Sequence, residues 1–530
     1  MHVALLQINP TVGALRSNAD LIIKEAHRAA KAGAELIITP ECALSGYPPE
    51  DLILKDHFCS DCQSEINRLL TELPEHPLVL IGAPVLRNGK KHNTAVAIHN
   101  GIIQGEYNKQ LLPNYGVFDE KRLFTPGTES LILNHSGKKI AVHICEDSWE
   151  PEGTAVRNID QPIDLLVNLS ASPYHRGKQE DRLHILEQTA QRLSTTLLYC
   201  NLIGGQDELV FDGSSMVISP EGSLISRAPA FASHTLHWNA ISMEIAPPLN
   251  ELSEIYEALK LGLHDYVKKT GFKKVVIALS GGIDSALVLA VAVDALGADR
   301  VVSVTMPSRY SSNSTLHDAI DMANRLHIPI HQIPIEPLHH QFQNQLSAIW
   351  ENQIAAGLTD ENLQARIRGN LIMAISNKFN WLVLTTGNKS EMAMGYCTLY
   401  GDMCGGFALI KDVPKTTVFD LCRWRNEQSE VIPQEIINRP PSAELRPDQK
   451  DTDSLPPYNQ LDPILEAYVE QDLGIDGLIN AGFEPELVKR VIHAVELSEY
   501  KRRQSPPGVK ITPRSFDRDR RMPIVNRYRN

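Results

Sequence analysis

Residues 275–290, VVIALSGGIDSALVLA, constrain this chain more than any other stretch. An apolar run with strand character stops at Ser280-Gly281-Gly282, and a helical pattern begins by Asp284. A strand that ends on a glycine-rich turn opening a helix is the unit of a doubly wound parallel sheet. Such sheets bind ligands at the carboxyl ends of their strands. Glycines let the backbone approach an anion closely, and successive amides with a helix N-terminus hold it. The turn therefore reads as a phosphate cradle, yet it lacks the Gly-Lys-Ser/Thr ending of a P-loop. Ser280 and Ser285 add hydroxyl donors. Asp284 repels a phosphate unless a cation sits between them, so loop and carboxylate together point to a magnesium–pyrophosphate group. Ser-Gly-Gly alone is a common turn. Ser-Gly-Gly-Ile-Asp-Ser between a strand and a helix is much more specific.

The same half of the chain repeats the alternation. Strands are expected at 275–279 and 301–306, and helices at 285–296 and 315–326. Ahead of them, Pro247-Pro248 marks a linker, and Leu252, Ile255, Leu259, Leu263 and Val267 recur at helical spacing. The first half is richer in strands, expected at 3–8, 35–39, 78–81, 94–99, 140–144, 163–169 and 197–202. A hairpin is expected around Met216–Ser219 and Pro220-Glu221-Gly222, and an amphipathic helix over 17–31. Interleaved helices make this half a layered α/β sandwich. The expected division is 1–245, a linker at 246–254, and 255–530. A polar, proline-rich stretch over 438–460 has no clear period and reads as a mobile loop.

Composition excludes several classes. The 530 residues carry a net charge of −13, which argues against a nucleic-acid partner. No apolar run is long enough to cross a bilayer, so no membrane partner is expected. The N-terminus MHVALLQINP lacks a signal-peptide pattern, and the eight cysteines are widely spread. A reduced, cytoplasmic protein is expected. Cys59 and Cys62 form a lone C-x-x-C pair without the second half of a zinc site. They read as two incidental thiols on a helix.

The phosphate loop resembles the signature of the ATP pyrophosphatases, enzymes that split ATP to AMP and pyrophosphate while adenylating a substrate oxygen. Further blocks narrow the resemblance. ENLQARIRGN (361–370), LTTGNKSEMAMGYCTLYGDMCGG (384–406), LIKDVPKTTVFDL (409–421), PPSAELRPDQKDTDSLPPY (440–458) and SEYKRRQSPPGVKIT (498–512) resemble the NAD⁺ synthetase family. They span nearly all of 255–530. The resemblance implies an adenine-nucleotide α-hydrolase-like fold and ATP at Leu279, Ser280, Gly281, Gly282, Ile283, Asp284, Ser285, Ala286 and Thr386. It places deamido-NAD⁺ at Asn362, Arg366, Glu391, Asp402 and Lys501, with Mg²⁺ at Asp284 and Glu391. Lys415 would neutralise charge on the reacting phosphates. Adenylation brings a carboxylate to an α-phosphate, and cations lower that repulsion. Taken singly, Glu391 and Lys501 are equally readable as solvated helix charges, and Asn362 as a helix cap. The resemblance also implies association into a homo-oligomer through the synthetase half.

The first half carries a second chemistry. Glu41 ends a strand in LIITPECALSGYP (36–48), Lys109 lies in YNKQLLPNYGVFDE (107–120), and Cys145 ends a strand in IAVHICEDSWEP (140–151). With NLSASPYHRGK (168–178), these resemble the Glu-Lys-Cys amidases of the nitrilase family over roughly 1–240. That resemblance implies an α-β-β-α sandwich. Cys145 would attack an amide carbonyl and form a thioester. Lys109 would favour the thiolate and the oxyanion. Glu41 would take the thiol proton, pass it to departing ammonia and then activate water. The plainer reading of Cys145 is a buried thiol ending a core strand. Beside a synthetase, the amide is expected to be glutamine, held by Tyr115, Ser172 and Lys178 with Phe118 and Glu120 shaping the pocket. Lys178 would grip the α-carboxylate and Glu120 the ammonium. Arg176 rivals Lys178, and spacing does not decide between them.

Three readings follow. The first is glutamine-supported, ATP-dependent amidation of deamido-NAD⁺, with ammonia passing internally. The second keeps the ATP chemistry but changes the acceptor, as in GMP or asparagine synthetases. It calls for a Gly-x-Cys-x-Gly elbow or an N-terminal cysteine, and neither is present; residue 2 is His2. The third is a non-catalytic binding protein, which predicts a broken triad or loop, whereas both motifs are intact.

Overall fold

The computed structural model describes residues 1–239, 244–351 and 357–528. It divides into two compact units, Met1–Glu251 and Leu252–Asn530.

Two six-stranded sheets form the N-terminal unit. In spatial order the first runs His234–Trp238, Val3–Gln7, Leu36–Ile38, Leu78–Arg87, Lys90–His99 and Ile102–Asn108. The second runs Leu224–Arg227, Met216–Ile218, Thr196–Asn201, Leu165–Ser170, Lys138–Ile144 and Leu131–His135. Successive strand side chains point to opposite faces, and both faces here are apolar. Val3 and Leu5 enter a core shared with Ile140, Val142, Ile144, Val167 and Leu198 of the other sheet. Ala4 and Leu6 instead pack with Ile22 and Ala26 of the helix Leu15–Lys31 and Ile66 of the helix Asp56–Glu72. On the far side, Leu166, Leu197 and Tyr199 pack with Leu186 and Ala190 of the helix Lys178–Leu193. The result is an α-β-β-α sandwich. Cys59 and Cys62 are buried on the helix Asp56–Glu72, and all eight cysteines are free.

Two strands outrun their sequence expectation. The runs at 78–81 and 94–99 are the inner parts of Leu78–Arg87 and Lys90–His99, paired antiparallel from Val79↔Ile98 to Arg87↔Lys90. The outer part of Lys90–His99 is polar (KKHN) and that of Leu78–Arg87 is interrupted by Gly82 and Pro84, so unbroken apolar runs do not reach them. Asn88-Gly89, with φ of +51° and +73°, closes the hairpin. Asn-Gly is the dipeptide such a two-residue turn requires. Asn100-Gly101 repeats the device and starts Ile102–Asn108, the strand that delivers Lys109. The expected hairpin forms between Met216–Ile218 and Leu224–Arg227.

The C-terminal unit holds a five-stranded, all-parallel sheet. Its spatial order is Ile330–Gln332, Val301–Thr305, Val275–Ala278, Leu382–Thr385 and Phe407–Ala408. In chain order this is 3-2-1-4-5, so the direction of winding reverses between Val275–Ala278 and Leu382–Thr385. Ligands bind at such a switch point. The helix Ile283–Leu296 is apolar almost all round and buried from Ser285 to Ala292, as an internal helix must be. The stretch 438–460 is mostly irregular, with its ends in the helices Gln434–Asn438 and Tyr458–Leu465. Arg439 donates to Gly281 O (3.3 Å), and Thr315 Oγ1 donates to Glu444 Oε2 (2.9 Å). The segment is thereby tied to the phosphate loop and its neighbour.

Candidate active sites

In the N-terminal unit the ends of three strands converge. Glu41 follows Leu36–Ile38, Lys109 follows Ile102–Asn108, and Cys145 follows Lys138–Ile144. Lys109 Nζ donates to Glu41 Oε1 (2.7 Å) and to Glu120 Oε1 (2.8 Å), and all three side chains are buried. Asn93 Nδ2 also donates to Glu41 Oε1 (2.7 Å), and the Ala171 amide donates to Oε2 (2.9 Å). Burial works against the charge on Lys109, but Glu120 and Glu41 outweigh it and hold the ammonium well above its usual range. Cys145 feels the same group. Burial, then Glu41, push its thiol well above the ordinary range, while Lys109 opposes them. Burial thus favours the neutral thiol over the thiolate at Cys145.

The backbone at Cys145 is strained. Cys145 has φ +43°, a left-handed conformation that costs a non-glycine residue about 1–3 kcal/mol. Asn168 clamps it from both sides. The Cys145 amide donates to Asn168 Oδ1 (3.1 Å), and Asn168 Nδ2 donates to Cys145 O (3.0 Å).

The residues expected to hold glutamine border this group. Tyr115 is exposed, donates to Glu146 Oε1 (2.8 Å) and packs edge-on against Phe118. Lys178 Nζ sits 4.0 Å from the centre of the Trp149 ring. Burial, with Arg182 adding to it, lowers its pKa to about 8. Ser172 accepts at Oγ from Arg182 (3.3 Å), a fully buried guanidinium paired with Asp212. Glu120 Oε1 is engaged by Lys109 and by Tyr47 (2.8 Å), whereas its Oε2 is buried without a partner among the described residues.

The second constellation sits at the switch point of the parallel sheet. Gly281 has φ +85°, and a Cβ there would lie 2.2 Å from Thr315 O, so the turn demands glycine. Ser280 Oγ accepts from the Gly282 amide (3.2 Å), and Ser285 Oγ donates to Gly282 O (2.9 Å). Leu279, Ile283 and Ala286 are buried, so their side chains face the core; the Leu279 and Ala286 amides donate to Val304 O and Gly282 O. Thr386 follows Leu382–Thr385, the strand beside Val275–Ala278. Lys415 Nζ bridges Asp284 Oδ2 (2.5 Å) and Glu391 Oε1 (3.2 Å), and Asn388 Nδ2 donates to Asp284 Oδ1 (2.9 Å). Asn388 also caps the short helix bearing Glu391 through a reciprocal capping box. Burial, with Asp284 adding and Lys415 opposing, pushes the Glu391 carboxyl up to about 8.

From Glu391 the chain runs into a loop that collects the other expected residues. Thr398 Oγ1 donates to Asn362 Oδ1 (2.7 Å), and Arg366 Nε donates to Leu399 O (3.2 Å). The Thr398 amide donates to Asp402 Oδ1 (2.6 Å), and Lys501 Nζ donates to Gly395 O (2.7 Å) and Cys397 O (2.8 Å). Asn362 and Arg366 from one helix and Lys501 from another thus reach 395–402, and Asp402 closes the loop from within.

Comparisons with known proteins agree with this division. A family model described as carbon-nitrogen hydrolase matches residues 2–240, and one described as NAD synthase matches 255–505. A glutamine-dependent NAD(+) synthetase of Synechocystis sp. is 44% identical, with 99% of each chain covered. One of Acinetobacter baylyi is 45% identical over 99% of this chain and 98% of its own. The chain belongs to the glutamine-dependent NAD(+) synthetases.

A solved synthetase of this family, from Acinetobacter baumannii and in complex with ADP, is 42% identical with a TM-score of 0.80. The match covers 99% of this chain and 98% of that one. The synthetase of Cytophaga hutchinsonii, at 23% identity, shares the fold with a TM-score of 0.87. Sequence reasoning missed several residues that build the two sites of this synthetase: Asn93, Asn168, Arg182, Asn388 and Asp451. Asp451 accepts from Tyr458 OH (2.8 Å), whose ring lies 5.4 Å from Lys415 Nζ. Asn388 and Asp451 lie inside blocks singled out by resemblance, and a closer look at the polar residues of those blocks would have found them. Asn168 likewise opens the NLSASPYHRGK block, whereas Asn93 carries no local signal.

Proposed function

We propose that residues 1–245 release ammonia from glutamine at Cys145, and that residues 255–530 use ATP to adenylate deamido-NAD⁺ and aminate it to NAD⁺. One observation carries the reading. Lys415 joins the phosphate loop, through Asp284, to Glu391 at the head of the loop that gathers Asn362, Arg366, Asp402 and Lys501. A nucleotide triphosphate and an anionic acceptor held on either side of that bridge would meet beside a cation. The Acinetobacter baumannii relative was solved in complex with ADP, which supports an adenine nucleotide as a ligand here.

In the first half-reaction Glu41 accepts the Cys145 proton as sulfur attacks the carboxamide carbon. The C–N bond breaks as Glu41 returns the proton to nitrogen, and ammonia leaves. Water, activated by Glu41, then cleaves the thioester to glutamate. Lys109, fixed between two carboxylates, supplies a constant positive charge to the oxyanion. We assign Lys178, rather than Arg176, to the α-carboxylate, because its electrostatic partners include Cys145 and Glu146. The unpartnered Glu120 Oε2 is free for the ammonium, and Tyr115, Phe118 and Ser172 complete the pocket.

In the second half the acceptor's carboxylate attacks the α-phosphate and the β/γ unit leaves. Ser280, Ser285 and the amides of the turn hold the leaving group, and Lys415 offsets its charge. Asp284 and Glu391 are hard oxygen donors already sharing one cationic partner, a set that suits Mg²⁺. Bound there, the metal would neutralise charge on the pyrophosphate. The remaining expectations stand as part of the same proposal: a cytoplasmic homo-oligomer without nucleic-acid or membrane partners. The net charge of −13 supports the former absence, and no helix among the described residues is long and apolar enough to cross a membrane.

The test is a product assay with ATP, Mg²⁺, deamido-NAD⁺ and either glutamine or ammonium. NAD⁺, AMP and pyrophosphate are expected in equal amounts with both nitrogen sources. ADP and phosphate in place of AMP and pyrophosphate would contradict the reading of the phosphate loop.

A further inference from the structure

Glu41, Lys109 and Cys145 stand on three separate strand ends, and the Lys109 segment leaves its strand immediately before the lysine. The direct bonds on Lys109 run to Glu41 and Glu120. What registers its loop against the nucleophile is a different side chain, Asp147, which the triad chemistry does not use. Asp147 lies two residues after Cys145 and is fully buried.

Its four bonds are distributed in a telling way. Oδ1 accepts from the amides of Gln110 (3.1 Å) and Leu111 (2.8 Å), the two residues directly after Lys109. Oδ2 accepts from Tyr107 OH (2.8 Å), two residues before Lys109, and from the amide of Ile144 (3.1 Å), directly before Cys145. One carboxylate therefore grips the chain on both sides of the lysine and the turn that carries the sulfur. A side chain serving only to satisfy buried amides has no need to divide its bonds between two catalytic segments.

We infer that Asp147 is a positioning residue of the glutaminase, locking the Lys109 loop to the Cys145 turn so that the ammonium faces the sulfur and the developing oxyanion. The inference rests on Cys145 being the nucleophile. Three of the four donors are backbone amides, so the register is insensitive to the side chains at 110, 111 and 144. Only an acceptor with two oxygens serves all four donors. Asparagine at this position keeps one oxygen and turns an N–H toward the other pair, so one side of the lock opens in either orientation.

The experiment compares Asp147→Asn with the parent and with Cys145→Ala in the full chain. For Asp147→Asn, kcat of glutamine-supported NAD⁺ synthesis is expected to fall about 10- to 100-fold, the cost of misplacing a reacting group by an ångström or less. KM for glutamine stays within about threefold and ammonium-supported synthesis is unchanged. Alkylation of Cys145 by iodoacetamide slows, and its pH midpoint moves up, because Lys109 no longer opposes burial and Glu41 as closely. A purely structural carboxylate would not move that midpoint. An unchanged kcat and midpoint, or a fall matched in the ammonium-supported reaction, overturns the inference. Should Asp147→Asn fail to fold, Tyr107→Phe removes a single bond of the four. It is expected to lower kcat about two- to fivefold with an upward shift of the midpoint, in keeping with one hydrogen bond of about 0.5–1 kcal/mol; no shift overturns the inference. Cys145→Ala separates the two levels. If it retains glutamine-supported synthesis the nucleophile itself is misassigned, whereas a dead Cys145→Ala with an unaffected Asp147→Asn rejects the positioning role alone.

Discussion

Each candidate site places a buried lysine between two carboxylates, and the two arrangements differ in exposure. Lys109 lies between Glu41 and Glu120, whose side chains are 0% and 4% exposed. Lys415 lies between Asp284 and Glu391, at 19% and 16%. The first group is closed. Its ammonium is held charged before substrate arrives, which suits a covalent step in which one proton moves and the ammonium must not. The second is open at the carboxyl ends of a parallel sheet. Its carboxylates can exchange their lysine for other cationic partners, and the lysine can turn to phosphate. On the proposed reading, a lysine between two carboxylates serves a sealed nucleophile in one unit and an exchangeable anion site in the other, and the local wall decides which.

Removing each lysine is the strongest way to break this comparison. Lys109→Met is expected to lower glutamine-supported NAD⁺ synthesis at least about 10³-fold while sparing ammonium-supported synthesis. It also strands two buried carboxylates, so the N-terminal unit should lose about 3–5 kcal/mol in denaturant unfolding. Lys415→Met should lower NAD⁺ formation about 10²- to 10³-fold with either nitrogen source. Its cost to stability should be smaller, about 1–2 kcal/mol, because Asp284 and Glu391 reach solvent. Equal losses of stability in the two variants would remove the distinction between a closed and an open site.

A gentler probe uses pH. Glu391 is raised to about 8, chiefly by burial, so the folded unit holds its proton more tightly than the unfolded chain. A carboxyl raised in this way contributes stability below its unfolded value near 4.5, and that contribution is lost as pH rises toward 8. Without ligand, the denaturation midpoint of the C-terminal unit should therefore fall relative to Glu391→Gln between pH 5 and 8. Parallel curves would show that Asp284, Lys415 and Asp451 already compensate the charge.

Much of this was legible in the sequence, for identifiable reasons. The phosphate loop is local: Ser280 to Ser285 act within one turn, and Gly281 is demanded by its own φ and by Thr315 O. Cys145, Glu41 and Lys109 each end or follow a strand, where periodicity breaks visibly. What escaped was set by partners remote in the chain. Asn168 clamps a residue 23 positions away, and Asn93 reaches Glu41 across 52 positions. Nothing near Asn93 distinguishes it from an ordinary strand residue, and Asn168, though it opens the NLSASPYHRGK block, reads there as the end of a strand. The outer halves of Leu78–Arg87 and Lys90–His99 escaped because Gly82 and Pro84 interrupt one and polar residues fill the other, so pairing across an Asn-Gly turn decides their extent. The segment 438–460 lacks a period because its work is done by single contacts, such as those of Arg439 and Glu444.

The most direct test of the central claim, two chemistries on one chain joined by ammonia, compares Cys145→Ala and Lys415→Met with each nitrogen source. Cys145→Ala is expected to lose glutamine-supported NAD⁺ synthesis and keep the ammonium-supported reaction, whereas Lys415→Met loses both while still hydrolysing glutamine. Undiminished glutamine-supported synthesis in Cys145→Ala would contradict the account.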